Sequence, residues 1–248
     1  MSEDLIKIEK MSKVYQMGET EVHALRHIDL TIKKGEFVAI MGASGSGKTT
    51  LMNLIGCLDT PSSGNYILDG IDIHSLKEDQ LSGIRNEKIG FVFQSFYLLP
   101  RTTAFENVEL PLLYSTSLNA HQRKEKVMKA LKTVKIDERA HHFPNQLSGG
   151  QQQRVAIARA IVNHALIMLA DEPTGNLDTR TSIEVMSVFQ ELHKKGITVI
   201  LVTHEMDIAQ YAERLIVFRD GRIRSDVINE TPKNALEDLK NLPVEEED

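Results

Sequence analysis

The sequence predicts an α/β fold with a mainly parallel sheet, an antiparallel β layer at its N-terminal side and an inserted helical lobe. Three observations predict it. Continuous apolar runs such as Phe37-Val38-Ala39-Ile40-Met41 recur along the chain, as strands buried on both faces require. Helical stretches separate those runs, the pattern of parallel strands joined by crossovers. Residues 5–36 instead alternate apolar and polar side chains, as antiparallel strands with one wet face do.

The elements follow in order. Ile6-Lys7-Ile8-Glu9 and Ile28-Asp29-Leu30-Thr31-Ile32 read as the antiparallel layer, with Lys33-Lys34-Gly35 as a turn. Residues 37–41 form a buried strand, followed by a glycine-rich turn and a helix over 50–58. Further strands are expected at 89–93, 165–170 and 198–203. From about 104 to 141 the pattern turns helical and charged, with Val127, Ala130, Leu131 and Val134 at helical spacing. This stretch belongs to a lobe spanning about 96–162. Helices are expected over 152–163, with Val155, Ala158 and Val162 on one face, and over 179–194. Residues 1–228 are read as one domain, and 229–248, with Pro232 and Pro243, as a tail holding a short helix and a loose end.

Bulk properties narrow the function classes. The chain has 248 residues, 41% hydrophobic and 26% charged, enough for a sizeable core. The net charge is -6 with no cluster of Lys and Arg, so no nucleic-acid partner is expected. The acidic end, Glu245-Glu246-Glu247-Asp248, reads as solvated. A single cysteine, Cys57, rules out an intrachain disulfide and fits a reducing compartment. No basic-then-apolar leader opens the chain, and the longest apolar runs are too short to cross a bilayer. Any membrane role therefore requires another chain to do the spanning.

Gly42-Ala43-Ser44-Gly45-Ser46-Gly47-Lys48-Thr49 matches G-x4-G-K-[ST], between a strand and a helix that Thr50 continues. Phosphates are dense negative charge. Glycines let backbone N–H groups approach them, and a helix N-terminus adds a favourable dipole. Lys48 is placed to reach the β- and γ-phosphates, and Thr49 to offer its hydroxyl to Mg²⁺. The core is therefore expected to be of the P-loop NTPase type.

Ile167-Met168-Leu169-Ala170-Asp171-Glu172 is an apolar strand ending in two acids. Ligands of parallel sheets sit beyond the carboxyl ends of strands. Asp171 is thus a candidate Mg²⁺ ligand, and Glu172 a candidate general base for an attacking water. Read singly, four other residues admit an ordinary role beside a functional one. His204 ends a strand and could bond the γ-phosphate or simply be solvated. Gln94 could touch Mg²⁺ or start a loop. Asp178 could cap the helix over 179–194. Tyr15 could stack on adenine or sit in the core.

A second glycine cluster, Leu147-Ser148-Gly149-Gly150-Gln151, opens another helix. Its backbone donors and Ser148 suit a second anion. Two complementary half-sites on one chain invite head-to-tail pairing about a two-fold axis.

With these residues in view, the chain resembles the ABC transporter ATPase family over residues 5 to about 224. The resemblance implies a role for each motif. Residues 42–49 match its Walker A loop, Gln94 its Q-loop glutamine, 147–151 its signature, 168–172 its Walker B strand with a catalytic glutamate, Asp178 its D-loop and His204 its switch histidine. Tyr15 falls at the place of the adenine-stacking aromatic. Gly56-Cys57-Leu58-Asp59, Phe91-Val92-Phe93-Gln94 and the run from Asp171 to Asp178 are similar to the lipoprotein-releasing and macrolide-exporting subgroup, whose members pair with FtsX-like permeases.

The expectations implied are an ATPase with Glu172, His204 and Lys48 in catalysis and Thr49, Gln94 and Asp171 around Mg²⁺. ATP would contact Tyr15, residues 42–50, Gln94, Ser148, Gly149, Gly150, Gln151 and Asp178. The partners would be a second copy and an integral membrane permease, docking near Phe96-Tyr97-Leu98-Leu99-Pro100 and on to Tyr114. The location would be the cytoplasmic face of the cell membrane. A GTPase is disfavoured because no Asn-Lys-x-Asp is present. A soluble DNA-repair or translation ATPase of the same family is disfavoured by the single set of motifs and the lack of sustained heptads.

Overall fold

The computed structural model describes residues 3–114 and 118–242. The acidic end 245–248 and Pro243 lie outside the described residues.

Two long antiparallel strands open the chain, β1 (Asp4–Met17) and β2 (Thr20–Lys33). Then come β3 (Phe37–Met41) and α1 (Lys48–Ile55). A hairpin, β4 (Ser63–Leu68) and β5 (Ile71–Asp72), leads to α2 (Glu78–Lys88) and β6 (Ile89–Phe93). The lobe holds α3 (Ala104–Glu109), α4 (Ala120–Thr133) and α5 (Gly149–Ile161). The remainder alternates: β7 (Ile167–Asp171), α6 (Thr179–Lys194), β8 (Thr198–Thr203), α7 (Met206–Ala209), β9 (Arg214–Arg219), β10 (Arg222–Ile228) and α8 (Ala235–Asn241).

These strands make two sheets. The antiparallel one has the order β2-β1-β4-β5, and the larger one the order β10-β9-β3-β8-β7-β6. In the larger sheet every pairing is parallel except β9–β10. The expected mainly parallel sheet and antiparallel layer are both present. The 63–72 hairpin belongs to that layer too, a pairing that residue alternation alone did not reveal.

The period of two in the central strands explains the layering. Phe37, Ala39 and Met41 face a core shared with α3, α4, α5 and α6. Val38 and Ile40 face a second core with α1 and the antiparallel layer. In β7, Met168 and Ala170 join the first core, and Ile167 and Leu169 the second. Both faces are covered, so the strands read as unbroken apolar runs.

Element ends differ from expectation where caps decide them. The first helix runs 48–55 rather than 50–58, because Gly56 closes it and Cys57 follows with φ 55°. The signature helix begins at Gly149 rather than Gln152. Ser148 and Gln151 bond reciprocally there, Gln151 N donating to Ser148 Oγ (3.3 Å) and Ser148 N to Gln151 Oε1 (3.0 Å). Strand β7 starts at Ile167 rather than Ala165, after a turn in which His164 has φ 60°. In α6 the expected cap is present, with Asp178 accepting from Thr181 N.

Helix α8 lies in the stretch read as a tail, and it packs on α6. Gln190 ties it down, donating to Lys233 O (2.7 Å) and accepting from Ala235 N (3.0 Å), while Tyr211 donates to Asp238.

Tyr66 joins the antiparallel layer to the end of α1. It is 1% exposed, and its hydroxyl donates to Ile55 O at 2.7 Å. Tyr66→Phe leaves that helix-end carbonyl with only the long Cys57 Sγ contact at 3.9 Å and should cost about 1–3 kcal/mol in a denaturant unfolding experiment. A change below about 0.5 kcal/mol would mean the carbonyl finds water.

Candidate active site

The site is built at the carboxyl ends of β3, β7 and β8, where a parallel sheet exposes loop backbone. The loop after β3 wraps the start of α1. Gly47 shows why glycine is required. Its φ is 106°, and a Cβ there would stand 2.6 Å from Ala24 O of β2. The loop is also moored to the turn between β9 and β10, with Gly221 N donating to Ser46 O (2.9 Å).

Lys48 is buried, and its ammonium donates to Gly42 O (2.7 Å) and Ala43 O (2.9 Å). Ser46 Oγ is buried with no partner among the described residues. A glycine-rich loop at the start of α1, with the Lys48 ammonium beside it, fits an anionic ligand.

Two cavities meet at this loop. The larger, about 810 Å³, is lined by Ala43, Ser44, Gly45, Gly47, Lys48, Thr49 and Thr50, with Glu172 and His204 on the same wall. Its other walls are Val22, His23, Ala24 and Arg26 of β2 and Asp220-Gly221. The smaller, about 270 Å³, is lined by Thr49, Gln94, Asp171 and Glu172 with Phe93, Ser95 and Tyr97. Thr49 and Glu172 belong to both.

Glu172 follows β7 with φ 46°, a left-handed backbone that bends the chain out of the sheet plane. Its N–H still donates to Val202 O of β8 (2.8 Å), so the residue is fixed at the carboxyl end of the sheet. His204 Nδ1 lies 2.9 Å from Glu172 Oε1. A carboxylate only accepts, so Nδ1 carries the proton and donates. Burial raises the Asp171 carboxyl above the usual carboxylate range, and neighbouring Glu172 adds to this, while Lys48 opposes it. Such a carboxylate is under-compensated, as a cation ligand should be.

The other expected residues lie apart. Residues 148–151 line neither cavity; Gly149 faces Leu177, and Gly150 faces Thr181. Asp178 uses both oxygens on its own helix, accepting from Thr181 N (2.8 Å) and Thr181 Oγ1 (2.6 Å), which lowers its pKa. Tyr15 lines neither cavity. Its hydroxyl donates to Asp59 (2.7 Å), and the Lys13 ammonium stands 4.8 Å from its ring centroid. Sequence reasoning missed Asn176, which bonds both the Gln94 side chain and Gln94 O. It also missed the β2 and 220–221 walls, which carry no chemical signal in sequence.

The family profile described as "ABC transporter" matches residues 25–175. The chain belongs to the ABC transporter family. A relative, the ABC transporter ATP-binding protein YvrO of Bacillus subtilis, is 52% identical over 222 residues, covering 90% of this chain and 96% of YvrO. The macrolide export ATP-binding/permease protein MacB of Chlorobium phaeobacteroides is 53% identical over 222 residues, 90% of this chain but 34% of MacB. The solved dimeric structure of the Methanocaldococcus jannaschii cassette MJ0796, in a post-hydrolysis state bound to ADP and Pi, superposes with a TM-score of 0.83 at 46% identity, covering 91% of this chain and 99% of that one. The chain is thus an ABC ATPase, an ATP-binding and ATP-hydrolysing cassette that energises a membrane transporter. Among the described residues no helix is long and apolar enough to cross a membrane.

Proposed function

We propose that two copies of this ABC ATPase close head to tail on two ATP molecules, each gripped by the 42–49 loop of one copy and the 148–151 turn of the other. One observation carries this reading: the chain bears two helix N-termini suited to anions, on α1 and α5, and the second lines neither cavity of the first. The dimeric state of the MJ0796 cassette supports the same assembly here.

In the closed pair, Lys48 exchanges its loop carbonyls for phosphate oxygens. Glu172 accepts a proton from the attacking water while the water oxygen bonds to the γ-phosphorus and the bridging oxygen leaves with ADP. His204, bonded to Glu172, holds the carboxylate in line and faces the same phosphate. Loss of the γ-phosphate removes the charge shared by the halves, and they part.

Mg²⁺ suits the oxygen donors of Thr49, Gln94 and Asp171, which line one cavity. When bound, it would offset the charge that develops on the phosphates. The nucleotide would lie along β2, whose Val22, His23, Ala24 and Arg26 wall the larger cavity.

The chain's partner is an FtsX-like permease, and its place is the cytoplasmic face of the cell membrane. A groove of about 660 Å³, lined by Leu58, Arg85, Phe91, Phe93, Pro111 and Tyr114, suits a permease segment with an apolar ridge. It extends the 96–114 surface expected from sequence. Tyr114 is 80% exposed and Leu58 49%. Leu58→Asp combined with Tyr114→Asp should abolish co-purification with the permease and leave isolated-chain phosphate release within about twofold. Retained co-purification would remove the groove from the interface.

The shared site is tested by sizing the Glu172→Gln chain. A doubling of mass on adding ATP is expected, and a monomer with and without ATP would overturn it.

A further inference from the structure

Gln153 lies on α5, five positions beyond Ser148, and is 0% exposed. A primary amide in a packed core must be paired. Here only half of it is. Nε2 donates to Pro173 O at 2.7 Å, while Oε1 has no partner among the described residues. Reversing the amide would set two acceptors against each other, so the donor orientation is fixed and the orphaned oxygen is its consequence. An apolar side chain of the same length would avoid that cost. The single bond to Pro173 O is what the amide provides.

That bond falls one residue after Glu172. Proline has a fixed φ, so one of the two torsions joining the Pro173 carbonyl to the Glu172 peptide is locked, and a displacement of that carbonyl bears on Glu172 with less slack. On the N-terminal side is Glu172, already in a left-handed conformation and bonded to β8. The same stretch touches the first turn of α5 at two more points. A Cβ on Gly149 would stand 3.0 Å from Leu177 Cδ2, and one on Gly150 would run into the Thr181 methyl group. An α-helix is stiff, and Ser148 and Gln153 are about 7.5 Å apart along its axis at 1.5 Å per residue. A shift of the 148–151 turn is therefore delivered to Pro173 O.

We propose that Gln153 is a positioning residue. It transmits the seating of this chain's 148–151 turn on the partner's nucleotide to the aim of this chain's own Glu172, so that each ATP reports to the opposite site. This rests on the two-copy reading above.

The test is Gln153→Met, which keeps length and packing but cannot donate. The full chain should show kcat lowered by about tenfold or more with KM for ATP within about twofold. In a Glu172→Gln background the same change should leave the ATP-driven dimer intact. An unchanged kcat would overturn the proposal, as would kcat, KM and dimer formation falling together, the pattern of a merely structural role. The two-copy reading fails separately, if the Glu172→Gln chain with Gln153 intact never dimerises with ATP. Should Gln153→Met lack a cooperative thermal transition, Gln153→Asn takes its place. That amide is one methylene too short to reach Pro173 O, and the same outcomes decide.

Discussion

Glu172→Gln is expected to lower ATP turnover by at least about 100-fold while ATP still binds, and to trap an ATP-dependent dimer. The substitution keeps the shape of the side chain and removes its capacity to accept a proton. General-base catalysis is worth roughly 10²–10⁴ in rate, and here the base sits where both cavities meet, held by His204 at 2.9 Å and by the Val202 carbonyl. Binding groups lie elsewhere, on the 42–49 loop, so affinity should survive. Phosphate release and sizing in the presence of ATP check both halves. Turnover within about threefold of the unaltered chain would remove Glu172 from the role of base.

Lys48→Ala should weaken ATP binding by roughly 10- to 150-fold, the loss expected when a charge-assisted hydrogen bond worth about 1.5–3 kcal/mol disappears. The ammonium is buried and held between two loop carbonyls, so it is already aimed into the phosphate cradle. Its removal also leaves those carbonyls without their donor. Thermal unfolding of the nucleotide-free chain should therefore be measured beside nucleotide titration. Unchanged affinity would contradict the cradle assignment, and a fall in stability alone would assign Lys48 to the loop's own architecture.

Local chemistry was legible wherever a few consecutive residues carry it. The 42–49 string gives the phosphate loop because glycine spacing and a lysine define its geometry almost alone. Asp171-Glu172 was readable because two acids closing an unbroken apolar strand mark the carboxyl end of a parallel sheet, where ligands bind. The Asp178 cap of α6 was readable because N-caps are local. By contrast, nothing near Tyr15 in sequence foretold that its hydroxyl goes to Asp59, 44 positions on. Asp59 lies in the loop between α1 and β4, and its meeting with β1 is a tertiary contact that alternation does not encode. The reach of Gln94 to Asn176, 82 positions away, was equally unreadable.

The sequence alone determined the family, the glycine-rich loop after β3, the two strand-end acids and the presence of a second glycine-led helix start. All of these are short-range patterns whose physics is complete within about ten residues. Only the tertiary structure decided that Thr49, Gln94, Asp171 and Glu172 share one cavity, that β2 and the 220–221 turn wall the other, and that Gln153 touches Pro173. Those contacts join residues far apart in the chain. Packing of sheet against helices fixes them, and no local propensity records which distant atoms that packing will bring within 3 Å.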